Sequence, residues 1–246
     1  MFQLLFISIY TLGLEANRNK FKQKMPVKGK RFGLKRQEMA NRAELLCKNK
    51  RCHFSKQEVE RLLQMYKEIV STQTNELKVR VRNGIDRNRF RDLLHQNFGI
   101  TEDHLMDKIF KAFDGDNDGF INEEEWVLGM SVFLKGTLEE QAEFCFGVYC
   151  FRGDGYISRE EMYQLLKNCL VKITHEEDPD EMPKDLVEII IKKMDSDHDG
   201  RLSLEDYVKA VKEEKLLLEA LGRCLPDNNR KTVFLQNIAD VKDHVY

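Results

Sequence analysis

The sequence predicts an all-α fold: four helix–loop–helix units arranged in two pairs, with a further C-terminal helix. Three observations carry that prediction. An apolar residue stands two places after a glycine at Ile121, Ile157 and Leu202, with a weaker echo at Ile85 directly after Gly84, so one unit recurs at intervals of 36, 36 and 45 residues. Apolar residues at three- and four-residue spacing flank each of these points, the period of an amphipathic helix. Between the flanks lie short, mostly acidic loops in constant register. Repetition of this kind marks units that bury their apolar faces against one another.

Length and composition agree. The 246 residues allow one large unit or two small ones, each with its own core. With 41% hydrophobic residues, 33% charged residues and four prolines, a largely disordered chain is excluded. No apolar run approaches the ~20 residues of a membrane span. The net charge of -2 hides an asymmetry: between Asn17 and Arg51, 13 Lys and Arg stand against two Glu, so a basic arm precedes an acidic body. The six cysteines show no CxxC spacing and are expected as free thiols, not as a zinc site or a disulfide framework. The opening MFQLLFISIYTLGLEA is apolar, but no basic stretch precedes it, so a buried helix or an extension is expected in place of a secretion signal. Phe2 stands where an N-myristoylation signal requires glycine.

Taken in order, residues 1–51 form a basic N-terminal extension, 52–136 the first pair, 137–226 the second pair and 227–246 a C-terminal tail. The first unit has lost its acids: Lys78, Arg80 and Arg82 occupy the places of three carboxylates and Arg89 the closing position, so it is expected not to bind metal. Leu105, Ile109, Phe110 and Phe113 lead into the second loop, and Trp126, Met130, Phe133 and Leu134 lead out of it. Phe144, Phe146, Val148 and Tyr149 precede the third loop; Leu186, Ile189, Ile190 and Met194 precede the fourth. Thr101 and Ser158 begin helices, the latter with capping-box spacing to Glu161. From Leu204 one helix is expected to run to Leu221 and end near Gly222 and Pro226. The segment Lys215–Leu225 is more apolar than its own unit can bury, which leaves two roles open: covering a groove in cis or binding a partner.

The second loop, Asp114 to Glu125, fits D-x-[DN]-x-[DN]-G-x5-E at every position, the pattern of a calcium loop. Ca2+ takes six to eight oxygens at about 2.3–2.6 Å. Asp114, Asp116 and Asp118 on alternate positions turn carboxylates into one small volume, Phe120 offers its backbone carbonyl, Asn122 acts through water, and Glu125 closes the shell from the exiting helix. Ile121 is expected to bridge to the partner loop. The fourth loop places Asp195, Asp197 and Asp199 in the same register and closes on Asp206, one methylene shorter than Glu, which favours a weaker site that also admits Mg2+. His198 is expected to face solvent. The third loop keeps Asp154, Gly155 and Glu161 but has Cys150 and Arg152 where carboxylates belong. A thiol is a poor ligand for a hard cation. This loop is expected to fold without metal, with Arg152 paired to Asp154 or Glu161. No Ser/His/Asp, Cys/His or phosphate-loop constellation stands in convincing context, so no enzyme and no small-molecule substrate are expected.

A first hand decayed and a second intact resembles the neuronal-calcium-sensor branch of the EF-hand superfamily. More specifically, DRNRFRDLLHQNFGIT, FKAFDGDNDGFINEEEW, GTLEEQAEFCF, HEEDPDE, KKMDSDHDGRLSLEDY and KLLLEALGRCLPD are similar to the EF-hand family of ciliary outer dynein arms, in the same order over residues 37–227. The resemblance implies a calcium-binding, non-enzymatic adaptor in the cytoplasm and cytoskeleton, in the axoneme of a cilium or flagellum. Its implied partners are outer-arm dynein or docking-complex subunits and the doublet microtubule, and its implied role is tuning motility to Ca2+. The ligands it carries over are Asp114, Asp116, Asp118, Phe120, Glu125, Asp195, Asp197, Asp199, Arg201 and Asp206, with Phe120 and Arg201 contributing only their carbonyls. The family's third loop is acidic where this chain has Cys150 and Arg152, which separates docking from full calcium response. Alternatives are a structural docking subunit insensitive to Ca2+ and a generic cytosolic sensor or buffer. The basic arm suits acidic tubulin tails or a solvated tail; nucleic acid and membrane contact are not expected.

Overall fold

A computed structural model describes residues 32–77, 84–170 and 181–239. The expectations for the apolar opening and for Lys78, Arg80 and Arg82 lie outside the described residues. The fold is all-α. Helix α1 (Phe32–Cys47) packs on α2 (Lys56–Leu77), so the end of the basic arm is a helix against the body. Helix α3 (Arg87–Leu93) follows and continues into a π turn, Leu94–Phe98, which Gly99 ends in the left-handed region. Helices α4 (Asp103–Phe113) and α5 (Glu123–Lys135) flank the second loop. Helix α6 (Leu138–Tyr149) and α7 (Arg159–Leu170) flank the third, and α8 (Glu181–Met194) and α9 (Leu204–Glu213) the fourth.

Within each pair the loops join by a short antiparallel ladder. Ile85 and Ile121 exchange two backbone hydrogen bonds of 2.9 Å, the bridge the sequence predicts. Strands β1 (Tyr156–Ile157) and β2 (Leu202–Ser203) pair Ile157 with Leu202. All four of these repeat residues are fully buried, so the repeat pattern reads out where the backbones of paired loops join. Aromatic rings fill the first pair and its border with the second: Phe90 meets Phe110 and Phe113, and Phe133 meets Phe98, Phe113 and, from α6, Phe144 edge-on. The Trp126 indole N–H donates to the Leu62 carbonyl at 3.2 Å, so the buried polar edge of this large side chain is satisfied.

The helix expected over Leu204–Leu221 divides. Helix α9 stops at Glu213, Glu214 is extended (φ -140°, ψ 102°), and a 3-10 turn Lys215–Glu219 doubles back across α6 and α9. The strap buries Leu221 and Leu225 and leaves Leu217 and Leu218 half-buried. Two buried hydroxyls seat it: Tyr207 donates to the Leu218 carbonyl, and Tyr149 to the Gly222 carbonyl at 2.5 Å. The Glu219 carboxylate accepts from the Leu225 N–H at 2.8 Å. The apolar strap therefore covers its own unit in cis. Beyond it, α10 (Asn228–Ala239) crosses to α2 and the π turn and sets Phe234 against Phe98 at 5.1 Å. The sequence reading gives only a tail there.

Candidate metal centres

The loop geometry begins with backbone. At the fourth and sixth loop positions the chain is left-handed in the second, third and fourth hands: Asn117 and Gly119, Gly153 and Gly155, His198 and Gly200. The sixth position, with φ of 83–86°, is one that glycine reaches without strain. This turns successive N–H groups inward, where carboxylates must accept from them.

In the second loop Asp114 is 6% exposed and accepts from the Asp118 N–H at 3.1 Å and the Gly119 N–H at 3.0 Å. Glu125 accepts with one oxygen from Gly115 (2.8 Å) and Asp116 (3.2 Å) and with the other from Asn122 (2.9 Å). Asn122 returns the bond to the Glu125 N–H, a capping box that fixes the start of α5. One ligand atom each from Asp114, Asp116 and Glu125 lies within 4.8 Å of the others. Oxygens around one Ca2+ can be no farther apart than twice the ~2.4 Å bond, so the spacing fits. Asp118 is outside this group; its carboxylate is turned to the Phe120 N–H at 2.8 Å. Burial, followed by the Asp118 and Asp116 charges, raises the Asp114 carboxyl despite two amide donors. The set is oxygen only and short of positive charge, as a hard cation requires. Tyr66, which the sequence reading missed, lies in the same field: burial, then Glu123, Glu125 and Asp118, push its phenol up to about 12.

The fourth loop converges differently. Asp195, 3% exposed, accepts from the His198 N–H (2.7 Å) and the Gly200 N–H (2.9 Å) and gathers with Asp197 and Asp199. Asp206 does not join them. Its two oxygens are held by the N–H and hydroxyl groups of Ser196 and Ser203, the Ser203 hydroxyl at 2.6 Å. Burial favours the neutral form, but these donors outweigh it and hold the Asp206 carboxyl below the usual range. The shorter side chain stays on the loop wall where Glu125 reaches inward. Arg201 was expected to matter through its carbonyl alone. Its guanidinium donates to Asp199 at 2.7 Å and lies 3.7 Å over the Tyr156 ring of the third loop. Neither Ser196 nor Arg201 was legible as a partner, because both effects depend on which way a side chain folds back.

In the third loop Glu161 is buried and accepts from the N–H groups of Phe151, Arg152 and Ser158 and from the Ser158 hydroxyl at 2.7 Å. The Cys150 thiol lies 3.2 Å from the Tyr156 carbonyl. No cluster of ligating side chains forms there among the described residues. The expected internal pairing of Arg152 is not made: among the described residues its guanidinium has no ion pair, and only its backbone N–H meets Glu161. The loop meets the first pair through Phe151, which packs on His104 with ring centroids 4.8 Å apart while Lys108 Nζ lies 4.4 Å above it.

A family description for an EF hand domain matches residues 105–133, and one for an EF-hand domain pair matches residues 139–212. Calaxin of Xenopus laevis is 59% identical over 176 residues, 72% of this chain and 83% of its own length. Calaxin of Homo sapiens is 50% identical over 202 residues, covering 82% of this chain and 93% of its own. Guanylyl cyclase-activating protein 1 of Lithobates pipiens is 28% identical over 130 residues, 53% of this chain and 62% of its own.

Proposed function

The chain belongs to the calaxin family of calcium-binding EF-hand regulators, and from that premise we propose that it is a calcium-responsive adaptor of the outer dynein arm in the ciliary or flagellar axoneme. In this reading it sits with docking-complex subunits on the doublet microtubule, binds dynein and tunes beating. Residues 52–136 and 137–226 act as the two pairs. Asp114, Asp116, Asp118, the Phe120 carbonyl and Glu125 form the principal Ca2+ site. Asp195, Asp197, Asp199, the Arg201 carbonyl and Asp206 form a second, weaker one that also accepts Mg2+.

The observation that carries the reading is the convergence of Asp114, Asp116 and Glu125 within 4.8 Å on a loop whose last ligand is also the third residue of α5. Bound Ca2+ supplies the positive charge that these carboxylates lack. The chain's own part is mechanical: Glu125 links the loop amides of Gly115 and Asp116 to the helix start, so any change in its bonding is felt as a change in the pose of α5. A second reading, a docking subunit in which metal only stiffens the fold, is favoured by the third loop, whose Glu161 is held by loop amides without metal, and by the seated strap. No helix of the described residues is long and apolar enough to cross a membrane.

The test is a tagged pull-down from axonemal extract, run in parallel with Ca2+ and with chelator. Dynein or docking subunits recovered mainly in one condition support the calcium-responsive adaptor. Equal recovery supports the stiffening role, and no axonemal partner in either condition sinks both.

A further inference from the structure

The second pair buries two thiols that the metal loops do not use. Cys145, midway along α6, and Cys224, in the strap, are each 0% exposed, and their sulfurs lie 3.0 Å apart across 79 residues of chain. A disulfide is about 2.05 Å long, so the sulfurs need close by only about 1 Å. The contact is anchored on both sides. Tyr149, one turn along α6, lies 3.2 Å from the Cys224 sulfur and donates to the Gly222 carbonyl, while the strap's Leu221 and Leu225 are buried around it.

We propose that Cys145 and Cys224 are a disulfide-forming pair that reacts with a small-molecule disulfide such as glutathione disulfide and staples the strap to α6. Burial, and next the Cys224 sulfur, keep the Cys145 thiol well above the usual range, so it stays protonated while the strap is seated. The first attack belongs to Cys224 when the strap opens. Gly222 provides the hinge, at φ 133°, where a side chain would be strained and would also press on Cys169 Sγ and Leu105. Cys224 gives its proton to water, and its thiolate attacks one glutathione sulfur. That S–S bond breaks, and one glutathione thiolate leaves. Cys145 gives its proton to water while the strap is still open, then attacks the Cys224 sulfur of the mixed disulfide as the strap closes and releases the second glutathione thiolate. The two leaving thiolates take up the two protons. Two protein thiols are oxidised and one disulfide is reduced, and exchange with excess thiol reverses the reaction. The staple fixes the strap over α6 and α9, the helices that enter the third loop and leave the fourth.

The experiment uses the full chain refolded from denaturant in a glutathione redox buffer, which removes burial as an obstacle, followed by peptide mass mapping. The expected product joins the peptides bearing Cys145 and Cys224, lighter than their sum by two hydrogens, and is lost with reductant and in Cys224→Ser. Amide hydrogen exchange over residues 214–226 is expected to slow in the oxidised protein. Glutathione adducts alone, or a Cys169–Cys224 link in place of Cys145–Cys224, would overturn the assignment. The expected link with unchanged strap exchange would overturn the staple. None of these readouts depends on Ca2+ or on an axonemal partner, so the result stands or falls apart from the adaptor reading.

Discussion

One methylene separates the two acidic loops. Glu125 is long enough to bond the loop amides and still bring an oxygen beside Asp114 and Asp116; Asp206 is drawn back by Ser196 and Ser203. Glu125→Gln removes one charge and cannot accept the Asn122 N–H through nitrogen, so it is expected to abolish the tighter Ca2+ transition while the chain stays helical. Calorimetry with far-UV circular dichroism checks this, and unchanged stoichiometry and affinity would remove the loop from its role. Arg201 acts in the opposite direction. Its guanidinium pairs with Asp199 and lies over the Tyr156 ring, so it competes with any cation. Exposed pairs of this kind contribute little, so Arg201→Ala should tighten Ca2+ binding by the fourth loop only modestly, as read by calorimetry. Lys192→Ala removes a charge from the same hand without touching the loop. If it tightens binding equally, the Arg201 contact is not the cause.

At the scale of elements, the third hand is a metal loop in backbone and not in side chains. Gly153 and Gly155 keep the left-handed turns, and Glu161 has the same amide partners as Glu125. Cys150→Asp combined with Arg152→Asn is therefore expected to add one bound Ca2+ by calorimetry; no gain would place the defect elsewhere in the hand. Helix α10 depends on its start. Asp227, in the cap position, accepts the Arg230 N–H at 2.7 Å and the Arg223 guanidinium at 2.9 Å. Asp227→Ala should cost about 0.5–2 kcal/mol. Burial draws this carboxyl up, but Arg230 and Arg223 outweigh it, and its pKa is lowered in the folded state. The unfolded chain then binds the proton more readily. The stabilisation is complete above the unfolded value of about 3.9 and fades as pH falls from there through the folded value. Thermal melts of the two proteins should thus converge in acid; a difference that grows in acid would contradict the assignment.

Across the whole molecule, the C-terminal segment links the pairs. The strap closes the second pair, and α10 then reaches α2 and the π turn of the first, burying Phe234 and Ile238. The pairs also meet where Phe144 packs on Phe113 and Phe133 and where Phe151 contacts His104 and Lys108. Phe234→Ala is expected to cost about 3–5 kcal/mol, lowering the melting temperature. A surface-like loss below about 0.5 kcal/mol would mean that α10 is not docked in solution.

The sequence by itself determined the four-unit all-α plan, the loop register, the Ile85–Ile121 contact and the missing carboxylates at Cys150 and Arg152. These follow from local rules: helical period, the glycine that a sharp turn requires, and ligand chemistry at fixed spacing. Fold-back and long-range packing decided the rest. The apolar run Lys215–Leu225 reads equally as helix or strap until Tyr149 and Tyr207 offer hydroxyls to its carbonyls. The Asn228–Ala239 segment carries too few apolar residues to announce a docked helix. Asp206 and Asp199 look like free ligands until Ser196, Ser203 and Arg201 are seen to hold them, and Cys145 and Cys224 stand 79 residues apart until the strap brings them together. Spacing along a chain fixes what neighbours in a loop can do, whereas contacts between distant segments are set by which surfaces must leave water together.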